Sequence, residues 1–298
     1  MFVLSQRSLR SNSCAWIFLA ASIVNLISIL SGLITEMISG WMIDPTNYIG
    51  FICKLRAFLV FSTRTIAAWL IVLATIDRWL LSSIDVHRRQ RSTLKNAQRW
   101  TMIIVIFSIL LYTQQFYCYE ANLMDTPLKC YGKTVVCRYI TDLSFAVITI
   151  LCPLSCMILF GLLTILNVRY SQGRVQAFKL QNINPNMNKP ATSTNGNLEA
   201  KSKQKTDHSL LRMLLIQVLL FIIFTFPLSV QKFYSSFSEE NKSRIETVIN
   251  GFLYNLAVLI YFVSNGMPFY IYTLCGGAVF RKALCDFFVM MKRKLMRR

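Results

Sequence analysis

Residues 53–79 read CKLRAFLVFSTRTIAAWLIVLATIDRW, a run in which Arg64 is the only charged side chain between Ala57 and Ile76. A bilayer's hydrocarbon core is about 30 Å thick, and a helix rising about 1.5 Å per residue crosses it in about 20 residues. The run is therefore long enough to span a membrane as one helix, with Cys53 at one end and Asp77-Arg78-Trp79 at the other. A spanning β-strand needs only about 10 residues and alternates apolar with polar side chains, a pattern this stretch lacks.

Five further runs of the same kind flank it, at residues 15–38, 100–117, 139–167, 210–234 and 248–274. The expected fold class is all-α: a polytopic transmembrane helical bundle of six spans, taken as a single domain over residues 1–298. Composition agrees, because 54% of the side chains are hydrophobic and 15% charged, whereas soluble domains carry about 25% charged residues.

Basic residues orient the spans, since Lys and Arg beside span ends stay on the cytoplasmic side. The segment before the first span carries Arg7 and Arg10, residues 78–99 carry six Lys or Arg, residues 169–212 eight, and the chain after Leu274 seven. The intervening connections carry none in residues 39–52, three in 119–139 and three in 232–247. Twenty-three basic residues thus face six, which predicts that both termini lie in the cytoplasm. The same partition explains the net charge of +19 as a membrane-face signature, so nucleic acid is not the expected partner.

Two connecting regions read differently from the spans. Residues 169–208 collect Asn, Gln, Lys, Ser and Thr with two Pro and are expected to form a flexible cytoplasmic loop. Residues 279–298 set Phe280, Leu284, Phe287, Phe288 and Met291 near helical spacing among Lys and Arg, which predicts an interfacial helix on membrane lipid.

Catalytic and metal chemistry find little support. The two His, His87 and His208, lie in polar stretches outside the spans, and the nine Cys include no CxxC pair. No zinc spacing and no Ser/His/Asp set emerges, so no cofactor, no metal and no enzyme activity are expected.

The motif set resembles that of rhodopsin-like G-protein-coupled receptors. Cys53, 25 residues before Arg78, and Asp77-Arg78-Trp79 are similar to the family's third helix, which begins with an extracellular Cys and ends in Asp/Glu-Arg-Tyr; here Trp79 stands for the Tyr. Phe221 and Pro227 in Phe-Ile-Ile-Phe-Thr-Phe-Pro resemble the sixth helix, with Thr225 where the family usually has Trp. Pro153 resembles the fifth-helix Pro, and Asn265-Gly-Met-Pro268-Phe-Tyr270-Ile-Tyr272 resembles Asn-Pro-x-x-Tyr, with Tyr272, Tyr270 or Phe269 as the Tyr equivalent. By this alignment the six spans look like helices two to seven, and a first helix is expected ahead of Met1. A truncated, non-signalling receptor form is the competing reading, ahead of a six-span transporter or channel. Val60 stands where amine receptors carry an Asp, and the subfamily that the chain looks most like is the invertebrate neuropeptide, FMRFamide-receptor type.

The resemblance implies an extracellular peptide ligand, a heterotrimeric G protein and a plasma-membrane location. It implies that Arg78, held by Asp77, is the G-protein switch, that Phe221, Pro227, Asn265, Pro268 and Tyr272 carry the activation kink, and that Cys53 bonds Cys130 or Cys137. Asn25 is the polar residue of mid-membrane depth, usually Asp, which puts a bound sodium ion in doubt. From the residues themselves, Glu36, Arg64 and Lys232 are proposed ligand-cavity groups, Glu36 and Arg64 alternatively neutralising each other, because an ionisable side chain inside a span needs a partner or a wet cavity. Asn241-Lys-Ser243 is a glycosylation candidate and Cys285 a palmitoylation candidate.

Overall fold

The computed structural model describes residues 13–35, 37, 48–123, 130–181, 215–231, 234 and 244–275, with 289, 293 and 296. Its long helices are α1 (Ser13–Leu33), α2 (Gly50–Ser82) and α4 (Leu94–Tyr112), then α6 (Val135–Ser144) continuing into α7 (Cys152–Gln181), α8 (Leu215–Gln231) and α9 (Arg244–Cys275). The short α3 (Val86–Arg91) and α5 (Gln115–Cys118) follow α2 and α4. Five of the helical stretches are long and apolar enough to cross a membrane, and α8 is a shorter apolar helix inside the expected fifth span.

One departure from an all-helical chain is a small antiparallel hairpin, β1 (Tyr119–Glu120) against β2 (Tyr131–Gly132), with Tyr119 opposite Gly132 and Glu120 opposite Tyr131. Helix also extends into the connection expected to begin at residue 169. There α7 runs on to Gln181, because Gln, Arg, Ala, Lys and Leu sustain a helix and no Pro intervenes before Pro185. Residues 182–208 lie outside the described ones, as does nearly all of the expected interfacial helix at 279–298.

The bundle is built around α2. In α2, 78% of the most apolar window is buried, against 28% in α4, whose Ile103, Ile106, Phe107 and Leu110 face outward. Apolar side chains exposed all along a spanning helix are what lipid contact requires, whereas α2 contacts protein on nearly every side. One apolar cluster joins Phe18 and Ala21 of α1 to Ile66, Leu70 and Ala74 of α2. Another joins Phe61 of α2 to Tyr112, Phe145, Leu228 and Tyr261 from four other helices. Gly32 is required where α1 meets α9, because a Cβ there would fall on the Phe262 ring.

The junction of α6 and α7 is a π-helical segment, Phe145–Leu151, and the cause lies in Pro153. Pro153 has no N–H, so the regular i→i−4 ladder cannot continue through it, and the Cys152 N–H bonds back to the Val147 carbonyl five residues away. The Ile148 carbonyl is then deprived of both its α-helical donor, now spent on Val147, and its π-helical donor, which would be Pro153. The Trp69 indole N–H of α2 donates to it at 3.0 Å. Satisfying that carbonyl matters because lipid offers no alternative donor.

Candidate functional site

Sequence positions 53 and 78 open and close one long helix, so α2 carries chemically distinct sites at its two ends. At the far end Asp77 and Arg78 are 6% and 4% exposed, deeply buried for charged groups. The Asp77 carboxylate accepts from Ser13 Oγ at 2.9 Å to each oxygen, from Ser92 Oγ at 2.5 Å, and from Arg78 Nη2 at 3.5 Å. Ser13 lies at the start of α1 and Ser92 in the connection after α3, so one carboxylate ties three segments together. Trp79 packs on Phe160 of α7, ring centroids 5.2 Å apart, and Arg88 lies over the same indole. The Asn167 amide donates to Ser82 Oγ at 3.4 Å and links α7 to the end of α2.

At the near end Cys53 is disulfide-bonded to Cys130, with Cα atoms 5.7 Å apart, and Cys118 to Cys137. Of the two partners left open for Cys53, the geometry selects Cys130. The reason is local: β1 follows Cys118 directly and β2 follows Cys130, so the hairpin sets Cys130 over the start of α2 while Cys137 falls within α6 beside Cys118. Thr134 caps α6 by accepting from the Cys137 N–H, and Arg138 donates to the Gly132 carbonyl at 3.0 Å.

Beneath the hairpin lies a cavity of about 110 Å³ lined by Arg56, Val60 and Arg64 of α2, Tyr131 of β2, and Tyr254 and Phe262 of α9. The Arg64 guanidinium stands 4.5 Å from the ring centroids of both Tyr261 and Phe262. Two aromatic faces against one cation favour holding it charged at this depth. Glu36 and Lys232, the other expected cavity groups, lie outside the described residues.

Between the two ends the sequence reading missed a buried hydroxyl triad. Thr65 of α2, Tyr112 of α4 and Thr149 of the π segment are mutually hydrogen-bonded, at 2.5 Å between the threonines, 2.9 Å from Tyr112 to Thr149 and 3.1 Å from Thr65 to Tyr112. All three are fully buried. A hydroxyl inside each of three apolar spans was the available signal; that they meet depends on packing.

Asn25 is 5% exposed and lines a void of about 20 Å³ with Gln217, Tyr261, Ser264 and Asn265, room for about one water molecule. The lining carries amides and hydroxyls but no carboxylate, and among the described residues no group of three His, Cys, Asp or Glu could hold a metal. The Asn265 amide donates to Ser28 Oγ of α1 at 3.4 Å. Phe221 is buried against Ala68, Ile71 and Val72 of α2 and Met157 of α7. Pro227 falls within α8. Pro268 and Tyr272 belong to α9 by backbone, but their side chains lie outside the described residues, as do Asn241 and Cys285.

Comparison with known proteins agrees with this arrangement. The family described as 7 transmembrane receptor (rhodopsin family) matches residues 1–250. The chain belongs to that family, and it is a multi-pass membrane protein and a receptor rather than an enzyme. The fold is similar to that of squid rhodopsin, with a TM-score of 0.75 at 12% identity over 97% of this chain and 79% of that one. No curated protein sequence matches.

Proposed function

We propose that the chain couples an extracellular short peptide to a cytoplasmic heterotrimeric G protein at the plasma membrane, with the Asp77–Arg78 end inside and the disulfide end outside. The observation that carries this reading is that one rigid helix, α2, has an aromatic, doubly basic cavity at one end and a hydrogen-bonded Asp77–Arg78 latch at the other. A ligand that binds better when the latch is open shifts the population toward that state by its differential affinity alone. Release of Arg78 from Asp77 presents a guanidinium to the carbonyl-rich C-terminus of a G-protein helix.

Arg56 and Arg64 suit a ligand that offers a carboxylate or amide oxygen, and the surrounding rings suit one with an aromatic or aliphatic side chain beside it. Val60 lines the same cavity in the position where amine receptors place an Asp, which favours an oxygen acceptor over a bare amine. The subfamily resemblance adds a peptide of the FMRFamide type, whose C-terminal amide oxygen is an acceptor for these guanidinium groups.

The test is nucleotide exchange on purified G proteins by the receptor in nanodiscs, driven by a panel of amidated short peptides. The expected result is saturable stimulation, with Arg64→Gln raising the half-maximal concentration about tenfold or more while the maximal response survives. Stimulation unaltered by Arg64→Gln, with normal expression, would remove Arg64 from ligand recognition; no stimulation by any peptide would remove the peptide.

A further inference from the structure

Residues 88–95, in the connection that follows α2, read Arg-Arg-Gln-Arg-Ser-Thr-Leu-Lys, with three arginines ahead of the first hydroxyl and a lysine three residues beyond it. That hydroxyl belongs to Ser92, whose Oγ donates to Asp77 Oδ1 at 2.5 Å and lies 3.3 Å from Ser13 Oγ. Arg88 pairs with Asp85, whereas Arg89 and Arg91 are exposed and have no ion partner among the described residues.

The segment is lightly held. None of the six residues of α3 is buried, and a helix this short is marginal by itself. It is kept in place by exposed hydrogen bonds, the His87 N–H to Asp85 at its start and the Asn96 amide to the Arg91 carbonyl at its end, and by Arg88 over the Trp79 ring. Such a segment opens locally without unfolding the bundle. Ser92 is half-buried, and the Asp77 carboxylate is what fixes it there. Thr93 beside it is otherwise engaged, since its Oγ1 caps α4 by accepting from the Asn96 N–H at 3.3 Å.

We propose that Ser92 is a phosphorylation site for an arginine-directed Ser/Thr protein kinase, and that the phosphate holds the Asp77 latch open. A hydroxyl just beyond several arginines suits a kinase with carboxylates along its substrate groove, because kinases choose substrates by charge pattern. In the step, Ser92 Oγ attacks the γ-phosphorus of ATP and the bond from that phosphorus to the β-phosphate oxygen breaks. ADP leaves, and the hydroxyl proton passes to the kinase's carboxylate base. A phosphoserine carries a charge of about −1.5 to −2 at neutral pH. Where the hydroxyl attracted the Asp77 carboxylate, the phosphate repels it, while Arg88, Arg89 and Arg91 on the freed segment offer it guanidinium partners. The latched hydroxyl is spent on Asp77, so the kinase reaches it when the latch is open, and the phosphate then prevents closure. This role rests on the Asp77 end being cytoplasmic, as proposed above, because ATP is supplied there.

The experiment uses the full chain in nanodiscs, which leave both faces accessible, with the catalytic subunit of cyclic-AMP-dependent protein kinase and labelled ATP. Phosphopeptide mass spectrometry should find the phosphate on Ser92, absent from Ser92→Ala and appearing about tenfold more slowly in Arg89→Gln, which removes one exposed charge. The phosphorylated chain should melt below both wild type and Ser92→Ala, since repulsion adds to the lost hydrogen bond. Phosphate on Thr93 alone, equal rates for wild type and Arg89→Gln, or no phosphate, the result if these arginines only face anionic lipid, overturns the site. Melting no lower than that of Ser92→Ala overturns the effect on the latch. Neither readout involves a G protein. A phosphorylated, destabilised chain that drives no nucleotide exchange therefore upholds the site and removes the coupling, whereas exchange by a chain that takes no phosphate does the reverse.

Discussion

Cys53 at one end of α2 is bonded to Cys130, and the adjoining hairpin is tied a second time through Cys118 and Cys137. At the other end Asp77 holds Ser13, Ser92 and Arg78 by hydrogen bonds alone. The first arrangement removes freedom covalently and changes only if a bond is broken. The second exchanges partners at modest cost, since a hydrogen bond to a charged group contributes about 1.5–3 kcal/mol net. A helix clamped at one end and latched at the other is suited to transmit a change as displacement at the latched end.

The largest effect should come from breaking the clamp. Replacing Cys53 and Cys130 together by Ala opens a link between residues 77 apart, and the chain-entropy argument puts the loss at about 4 kcal/mol. A thermal melt in detergent or nanodiscs, with surface expression alongside, checks it; a melt unchanged from wild type would mean that the hairpin holds without the bond and that the two ends differ less than the contrast requires.

Next in size is the latch. Asp77→Asn keeps the shape but removes the charge facing Arg78, and ligand-independent nucleotide exchange should rise about tenfold, a population shift of about 1.4 kcal/mol. If basal exchange stays flat while the protein remains folded, Asp77 serves structure only.

The middle of α2 sharpens the comparison, because it must be stiff to link the ends. Trp69→Phe leaves the Ile148 carbonyl without its donor and should lower stability by about 1–2 kcal/mol, read as a fall in melting temperature without a rise in basal exchange. A rise in basal exchange instead would place the hinge at the π segment rather than at Asp77. The smallest change is Ser13→Ala. Asp77 retains Ser92 and Arg78, so a rise of a few fold in basal exchange is expected, smaller than for Asp77→Asn. An effect larger than that variant's would show that α1, not Arg78, is what the latch restrains.

The unequal legibility of these regions has a physical cause. The apolar runs announce helices because lipid forces each span to satisfy its own backbone, a condition met within about 20 consecutive residues. Asp77, Arg78, Cys53 and Pro227 stood out for the same reason, since polar, covalent or kinking residues at those places are conspicuous against an apolar background. The hydroxyls of Thr65, Tyr112 and Thr149 did not, because a Thr alone can bond its own helix backbone, as Thr65 also does to the Phe61 carbonyl, and nothing near Tyr112 in the chain shows where its hydroxyl finds a partner.

From its sequence alone this protein is expected to be a polytopic helical bundle with its basic connections on one side and a Cys-to-Asp-Arg helix among its spans, because hydropathy and charge act residue by residue against the bilayer; that this helix lies at the centre is a matter of packing. Only the tertiary structure decided that Cys53 takes Cys130 and not Cys137, that Ser13 and Ser92 hold Asp77, that Trp69 serves the carbonyl Pro153 leaves open, and that Gly32 admits Phe262. All but the Ser92 contact, which spans 15 residues, join segments more than 60 residues apart, set by the angles and registers at which whole helices pack, and no local pattern of side chains encodes them.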